Sequence, residues 1–272
     1  MRRRRRKRFL EHRLTHPEPE PEVLLGGLEA GRVVKVGETV RRASGPWTPS
    51  IQALLAHLQA KGFPSPRPLG LDDEGREVAS FLPGRCSNWP WPAALLEAAG
   101  ARQIGALLRR YHAAVADFAP PSPALWRHGA QPLGPGEIVL HGDFGPHNLI
   151  WSPTALIGVI DFELARPGDP LEDAGFAVIR AAQLRPDELT RPVGFDAPPD
   201  RRARLEAFAD GFGASIATLV DAALLAQRAE LDRIVRLGGQ GIEPWSRFRV
   251  QGLAPQVRQE LDWLEANAGA LV

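Results

Sequence analysis

The sequence of 272 residues has little of several features, and each scarcity excludes a class of protein. Its one cysteine, Cys86, excludes an intramolecular disulfide and indicates a reducing compartment. No apolar run approaches the roughly 18 residues that a membrane span requires. The net charge of +1 gives no global attraction to nucleic acid or to membranes. The sequence therefore predicts a globular, cytoplasmic protein with no membrane partner.

The first residues are unusual in their charge and their proline content. Arg2–Arg8 form a basic run, but no apolar segment follows it, so the run does not predict a secretory signal. Alternating proline and glutamate over Pro17–Glu22 predict an extended linker. We expect a disordered tail and linker over residues 1–21. A nucleic-acid tether is the alternative role for the arginines, although nucleic acid is not an expected partner.

Beyond the linker the residue pattern changes once along the chain. Residues 22–84 carry strand signals, with a tight hairpin turn at Gly37–Glu38 and a helix over Trp47–Lys61. Residues 85–272 are dominated by helical patterns rich in alanine, leucine and arginine. We predict an α+β architecture in which a small antiparallel-sheet lobe is joined by one strand to a larger, mainly helical lobe. A cleft would separate the two lobes.

The segment HGDFGPHN, His141–Asn148, is followed thirteen residues after Asn148 by Asp161, at the end of a second apolar strand. The strand that follows Asn148 and the strand that precedes Asp161 have similar lengths and run in opposite directions. Asn148 and Asp161 should therefore meet at the same end of this strand pair. An amide oxygen and a carboxylate suit Mg²⁺, which completes its shell with phosphate and water. Asp143, on the preceding loop, can meet a substrate hydroxyl. This spacing is typical of phosphoryl transfer in kinases.

Two other interpretations of these side chains stay open. Asp143, Asn148 and Asp161 are residue types that favour turns and helix caps, which would make them structural. Alternatively, His141 and His147 are the metal ligands of a metallohydrolase, with Asp161 as a partner. The joint spacing and the flanking strands favour the kinase-type site.

HGDFGPHN and VIDFELARPGDPLEDAG, Val159–Gly175, resemble the aminoglycoside phosphotransferase and choline kinase-like family, which has a two-lobed protein-kinase-like fold. The resemblance runs over most of the chain from about Val23 and is specific over Leu140–Gly175. It implies two downstream structural residues, Asp169 and Asp173. It also implies four roles in the site: catalytic base for Asp143, metal ligands for Asn148 and Asp161, and structural support of the catalytic loop for His141.

The resemblance further implies transfer of the terminal phosphoryl group of ATP or GTP, with Mg²⁺, to a hydroxyl. Few residues separate Asp161 from the helix that begins with GDPLED, so a small-molecule acceptor is expected rather than a protein. Aminoglycosides, choline, homoserine, sugars and peptide antibiotics are acceptors of similar proteins. Acceptor contacts are expected after Leu171. Acidic residues over Glu172–Glu188 could attract a cationic acceptor, but helix-start and solvent-face roles are preferred.

The first hairpin predicts the nucleotide side of the site. A two-residue turn at Gly37–Glu38 pairs Lys35 with Val40 and Val33 with Arg42, and strand alternation puts all four side chains on one face. Val33 and Val40 would then sandwich a base. Arg42 would reach the phosphates and bind their oxygens in bidentate fashion.

Other nucleotide contacts are predicted around this hairpin. A register slip of one residue would give the phosphate contact to Arg41, and Lys35 is a further candidate. The backbone from Ser80 to Leu82, at the connector, is expected to bind the edge of an adenine.

Two departures from the family pattern concern nucleotide binding. Three glycines lie between residues 26 and 31, but they do not form a complete glycine-rich loop. The predicted helix over Trp47–Lys61 contains no glutamate to hold the basic residue, and Gln52 and His57 are its polar substitutes. These departures favour an alternative function: a non-catalytic binding or immunity protein that sequesters a small molecule or toxin.

Overall fold

The computed structural model describes residues 21–24, 33–87 and 91–272. The arginine-rich run and the three glycines between residues 26 and 31 lie outside these ranges. The predictions made for them therefore stay predictions.

The strands of the described residues are short, and every pairing between them is antiparallel. They are β1 Glu22–Val23, β2 Val34–Val36, β3 Thr39–Arg42, β4 Pro68–Leu71, β5 Glu77–Ser80, β6 Arg85–Cys86, β7 Leu125–Trp126, β8 Gly129–Ala130, β9 Ile138–Leu140, β10 Leu149–Trp151, β11 Leu156–Val159 and β12 Arg166–Gly168.

The helices occur mainly after the last strand. They are α1 Thr48–Ala60, α2 Ala93–Leu96, α3 Ala98–Val115, α4 Pro170–Ala181, α5 Arg201–Phe212, α6 Ile216–Gly239, α7 Trp245–Val250 and α8 Leu253–Leu271. No single helix of the described ranges has the length and apolarity to cross a membrane; α5 and α6, bent by 98°, meet that criterion only as a pair.

The N-terminal part is a five-stranded sheet in the order β1-β2-β3-β5-β4, with α1 beside it. Gly37 has a φ of 58°, which the tight hairpin turn requires. The predicted register is observed, since Lys35 pairs with Val40 and Val36 with Thr39. Helix α1 buries an apolar face made by Ile51, Leu54, Leu55 and Leu58.

The C-terminal part is mainly helical. Helix α3 packs against α5, α4 packs against α6, and α6 also contacts α7 and α8. One large core contains residues of both parts, from Leu54 of α1 to Leu264 of α8. The predicted α+β, two-lobed kinase-like fold is therefore confirmed, while the lobe boundaries at residues 22–84 and 85–272 stay a prediction.

Short strands at the start of the C-terminal part position the predicted site. Strand β9 pairs with β12, and β10 lies between β11 and β6. The loop from β9 to β10, residues 141–148, is the predicted catalytic loop and carries Asp143 and Asn148. Strand β11 ends at Val159, two residues before Asp161. Because β10 and β11 are antiparallel neighbours, Asn148 and Asp161 lie at the same end of the pair.

Candidate active site

Asp143 is held by the two residues that close its loop. The Asn148 side-chain amide donates to the Asp143 carboxylate at 2.9 Å and to the Asp143 carbonyl at 3.0 Å. His147 Nε2 lies 2.9 Å from the same carboxylate oxygen. These contacts fix the carboxylate at the wall of a cavity that Asp161 also lines.

Asn148 and Asp161 meet as the spacing predicts. The Ile160 amide donates to the Asn148 carbonyl at 2.9 Å, which ties the two strand ends together. Because the Asn148 amide nitrogen is bound to Asp143, its side-chain oxygen is the atom that can face a cation. Asp161 has a φ of 66°, a left-handed conformation that is rare outside glycine and is enriched at functional sites.

His141 is a buried connector between these segments. Its Nε2 lies 3.1 Å from the Ile160 carbonyl, and its Nδ1 accepts from the Asp143 amide at 3.3 Å. Burial lowers the pKa of His141, so the ring is neutral with the proton on Nε2. Since both ring nitrogens are bonded within the protein, His141 does not fit the metal-ligand role of the metallohydrolase interpretation.

Asp173 of α4 binds the backbone at the start of the catalytic loop. Its carboxylate accepts from the His141 amide at 2.7 Å and from the Gly142 amide at 3.0 Å. Gly142 has a φ of 80°, and a β-carbon there would lie 2.2 Å from the Leu164 carbonyl oxygen. Glycine is therefore required where protein kinases carry arginine. Asp169 instead caps α4 by accepting from the Leu171 amide.

Arg42 connects the five-stranded sheet to Asp161, a predicted metal ligand. It donates from Nε to Glu77 at 2.6 Å and from Nη1 to Asp161 at 3.0 Å. Burial lowers the pKa of Arg42, but the charges of Glu77 and Asp161 outweigh this and raise it. Arg42 is thus a fixed cation beside Asp161.

Glu77 replaces the glutamate that α1 lacks, and sequence reasoning missed it. Its side chain is 2% exposed, and it lies opposite Arg42 where β5 pairs with β3. The amide of Gln52 donates to Glu77 at 2.8 Å, so α1 contributes through an amide and not through a carboxylate. Only the pairing of β3 with β5 identifies Glu77, since it lies 35 residues from Arg42 in the sequence.

The other predicted nucleotide residues occupy different positions around the hairpin. Arg41 lies on the opposite face of β3, with Nη1 3.9 Å from Asp72, so the observed register turns Arg42 toward Asp161. Lys35 lies over the Phe81 ring at 4.4 Å. Val40 is paired with Lys35 in β3, as the alternation predicts. Val33 lies directly before β2, and its place on the same face as Val40 stays a prediction.

The structure leaves fewer backbone N–H groups free for the predicted adenine contact than the sequence suggests. The Ser80 amide donates to the Arg67 carbonyl at 2.9 Å, and the Phe81 amide donates to the Glu38 carbonyl at 2.8 Å. A backbone N–H already bound within the sheet is not free to bind a base. The Ser80 and Phe81 N–H groups are therefore not donors to a base. Adenine binding by the backbone from Ser80 to Leu82 stays a prediction, with the Leu82 N–H as its donor.

His147 is a second residue to which the kinase-type prediction gave no role, although the metallohydrolase interpretation made it a metal ligand. Its side chain is about half exposed, 48%, at the mouth of the cavity. Desolvation lowers the pKa of His147, but the Asp143 carboxylate and its hydrogen bond outweigh this and raise it. The spacing could have indicated His147 as a hydrogen-bond partner of the Asp143 carboxylate, because residues 143 and 147 lie at the two ends of one short turn.

A cavity of about 280 Å³ opens from Asp143 into the C-terminal part. Its remaining walls are mainly apolar, with three arginines and one glutamate. The lining beyond the catalytic loop consists of His128, Leu164, Arg166, Phe176, Arg180, Glu230, Arg233, Ile234, Trp245, Phe248, Leu253 and Val257.

The donor set fits a magnesium–nucleotide site. Asn148 and Asp161 present two hard oxygen ligands side by side, and Mg²⁺ usually takes one or two such ligands together with phosphate oxygens. In the described ranges no group of three or more His, Cys, Asp or Glu side chains is arranged to hold a metal ion. One amide and one carboxylate are a different kind of ligand set, which phosphate oxygens and water would complete.

Comparisons with known proteins agree with this geometry. The profile of the phosphotransferase enzyme family, APH, matches residues 122–206, which include the whole catalytic loop. The trifolitoxin immunity protein of Rhizobium leguminosarum bv. trifolii is 34% identical over 200 residues, covering 71% of this chain and 75% of that protein.

Two solved structures have a similar fold at low sequence identity. Amicoumacin kinase hAmiN, in complex with AMP-PNP, Ca²⁺ and Ami, is 12% identical, with a TM-score of 0.56 over 89% of this chain and 87% of that chain. APH(2")-IIia, in complex with GDP and kanamycin, is 14% identical, with a TM-score of 0.55 over 93% and 95%. Site, sequence relative and fold agree: the chain belongs to the phosphotransferase enzyme family and has its kinase-like fold.

Proposed function

We propose that this protein is a Mg²⁺-dependent phosphotransferase that moves the terminal phosphoryl group of ATP or GTP to the hydroxyl of a small molecule. The observation that carries the proposal is the meeting of Asp143, Asn148 and Asp161 at one cavity wall, with Arg42 bound to Asp161. Three oxygen-bearing side chains and one fixed cation are the groups that phosphoryl transfer needs.

Each side chain has a separate task in this proposal. Asp143 accepts the acceptor's hydroxyl proton while the hydroxyl oxygen bonds to the terminal phosphorus. The bond from that phosphorus to the bridging oxygen breaks, and its electron pair leaves with the nucleoside diphosphate. Asn148 and Asp161 hold Mg²⁺, which neutralises phosphate charge when bound. Arg42 stabilises phosphate oxygens, and the Leu82 amide binds the base between Val33 and Val40.

The acceptor is a small compound with a hydroxyl group, and its candidate classes are aminoglycosides and related antibiotics. The two similar structures contain kanamycin and Ami, and the relative is an immunity protein against trifolitoxin. Modification of a toxic compound by phosphorylation would unite an immunity role with a phosphotransferase site.

A second candidate function is sequestration without chemistry. The name of the 34% identical relative refers to immunity and to no reaction, which favours this alternative. The lack of a glutamate in α1 no longer supports it, because Glu77 holds Arg42 instead. Sequestration would protect in proportion to the amount of protein and would survive the loss of Asp143.

The first test is thermal unfolding with and without Mg²⁺ and ATP or GTP, for the wild type and for Asp161→Asn. A nucleotide at about 100 times its Kd adds roughly 2.7 kcal/mol to the free energy of unfolding. We expect this stabilisation to require Mg²⁺ and to disappear in Asp161→Asn. Asp232→Asn, which changes an exposed carboxylate paired with Arg236, is the matched control and should keep it.

The outcomes separate the two candidate functions. Stabilisation by Mg²⁺ with one of the nucleotides, lost only in Asp161→Asn, supports the phosphotransferase. If neither nucleotide stabilises the wild type, the proposal fails and sequestration becomes the better explanation.

A further inference from the structure

The backbone of Asp161 is in a conformation that its surroundings have to hold. Its φ of 66° and ψ of 67° are left-handed, which costs free energy outside glycine and persists only where neighbouring contacts fix it. Before Asp161, the Ile160 amide donates to the Asn148 carbonyl, and the Ile160 carbonyl is bonded to the His141 ring. After Asp161, the chain enters the short turn Phe162–Leu164.

The turn is held by two side chains of different kinds. The Phe162 ring is 1% exposed and packs against the His141 ring, with centroids 4.7 Å apart. Glu163 is also buried, and its carboxylate forms a hydrogen-bonded ion pair with the Arg127 guanidinium. A buried carboxylate costs free energy that an apolar side chain would avoid, and removing its partner leaves the charge uncompensated. The place of Glu163, two residues after Asp161, therefore depends on Arg127.

Arg127 is itself fixed against the N-terminal part of the molecule. It lies in the hairpin of β7 and β8, and its guanidinium sits over the Trp47 ring at 4.7 Å from the centroid. The Leu125 amide of the same hairpin donates to the Ser50 hydroxyl at 3.2 Å. Trp47 directly precedes α1, and Ser50 lies in the first turn of that helix. The hairpin thus contacts the start of α1 at two points.

We infer that Arg127 and Glu163 are positioning residues, which hold Asp161 in the conformation that binds Mg²⁺. The inference rests on the proposed function, because it assumes that Asp161 is a metal ligand. The ion pair acts through the backbone of the turn, whereas Arg42 binds the Asp161 carboxylate directly at 3.0 Å. Asp161 is therefore connected to the N-terminal part twice, through Arg42 and through the ion pair with its contact to Trp47.

The test measures the gain in nucleotide affinity that Mg²⁺ provides. Affinity for ATP and for GTP is measured on the full chain by competition against a fluorescent nucleotide, once with Mg²⁺ and once with EDTA. The ratio of the two affinities is the Mg²⁺ enhancement. In Glu163→Gln we expect this enhancement to fall about tenfold, as on loss of a residue that orients a metal ligand. The affinity in EDTA should change by less than about twofold, because Arg42 is intact.

A double variant separates positioning from stability. Arg127→Met with Glu163→Met replaces the buried ion pair by apolar side chains of similar length, which is often neutral or stabilising. A methionine beside the Trp47 ring also keeps a favourable contact there. We expect the double variant to have a higher Tm than Glu163→Gln and still to lack most of the Mg²⁺ enhancement, because the turn has lost its directed polar contact.

Leu205→Ala is the control for a loss of stability alone. Leu205 is fully buried on α5, which packs against α3, and its truncation leaves a cavity in the core. This variant should have a lower Tm than the wild type and the same Mg²⁺ enhancement. Every affinity is measured at a temperature where circular dichroism shows the variant to be folded. If Glu163→Gln does not fold, the double variant decides the test.

The results distinguish this inference from the proposed function. Loss of the enhancement in Glu163→Gln and in the double variant, but not in Leu205→Ala, supports the positioning role. If the wild type shows the enhancement and the double variant keeps it, the inference fails and the proposed metal site stands. Equal loss of affinity with Mg²⁺ and with EDTA makes the ion pair merely structural and also overturns the inference. If the wild type shows no enhancement, both fail together.

Discussion

The catalytic loop and the strand that carries Arg42 are held in different ways. Asp143 is fixed by His147 and Asn148, four and five residues further along the chain. Arg42 is fixed by Glu77 and Asp161, at sequence separations of 35 and 119 residues. The loop is thus a local structure, whereas the position of Arg42 depends on strand register and on the fit between the two parts of the molecule.

Under the proposed function, this difference would separate the transfer step from nucleotide binding. Asp143 and His147 of the loop contact each other and line the cavity, so changes at these two residues should act on the transfer step. The Arg42 network contacts Asp161, and Arg42 is the proposed phosphate contact, so changes there should act on Mg²⁺ and the nucleotide. Three substitutions test this division, at Asp143, Glu77 and Arg41, and a fourth, at Asp173, tests the support of the loop.

Loss of the Asp143 carboxylate should have the largest effect. In Asp143→Asn we expect the rate of transfer to fall by about 10² to 10⁴, because the group that accepts the hydroxyl proton is gone. Stabilisation by Mg²⁺ and nucleotide should remain, since Asp161 is intact. The measurement is phosphoryl transfer at saturating nucleotide together with thermal unfolding. Equal loss of nucleotide binding in Asp143→Asn and Asp161→Asn would contradict the division.

Asp173→Ala should mainly reduce stability. Asp173 is 1% exposed, and its removal leaves the amides of His141 and Gly142 buried without their acceptor. Each such group costs about 1–3 kcal/mol, so we expect a loss of roughly 3 kcal/mol in urea unfolding. Asp169→Ala, which removes only the cap of α4, is the control and should cost about 1 kcal/mol.

The same carboxylate gives a pH dependence. Burial raises the pKa of Asp173, but His112 and the backbone hydrogen bond from the His141 amide outweigh this and lower it. A lowered folded-state pKa means that the stabilisation is fully present above the ordinary aspartate pKa, about 3.9, and is lost as the pH falls through the folded value. The difference between wild type and Asp173→Ala should therefore be constant near pH 7 and shrink below about pH 4. A difference that grows with acidity would contradict this assignment.

Glu77→Gln should weaken nucleotide binding moderately. The variant keeps the size of the side chain but leaves Asp161 as the only carboxylate bound to Arg42. Arg42 would then bind Asp161 more strongly and compete with Mg²⁺ for its carboxylate. We expect about tenfold weaker Mg²⁺–nucleotide binding, about 1.4 kcal/mol, by calorimetry. Glu74→Gln, at an exposed pair with Arg76, is the control. Unchanged affinity in Glu77→Gln would remove Glu77 from the site.

The sequence is informative about this molecule where contacts are local. HGDFGPHN and Asp161 lie within 21 residues, and the hairpin at Gly37 fixes its own register, so the catalytic loop and the facing of Arg42 were predictable. Glu77 was not, because the pairing of β3 with β5 is decided by packing across the sheet. The hydrogen bond from the Ser80 amide to the Arg67 carbonyl could not be predicted from the sequence for the same reason.

The acceptor cavity shows the limit of prediction most clearly. Phe176, Arg180 and Trp245 come from two helices far apart in the sequence and share no motif. Their charges cannot be summed from the sequence, since each depends on partners such as Glu260 that only the fold brings near.

The smallest effect should come from Arg41, the neighbour of Arg42. Arg41→Gln changes a partly buried side chain on the opposite face of β3, near Asp72 and away from Asp161, so nucleotide binding should change by less than about twofold. Arg42→Gln, one residue away and with the same change of chemistry, should lose most of the nucleotide-dependent stabilisation. Calorimetry of both variants with Mg²⁺ and nucleotide makes the comparison. If Arg41→Gln is the weaker binder, the phosphate contact belongs to the outer face of the hairpin, and the network of Arg42 with Glu77 is structural.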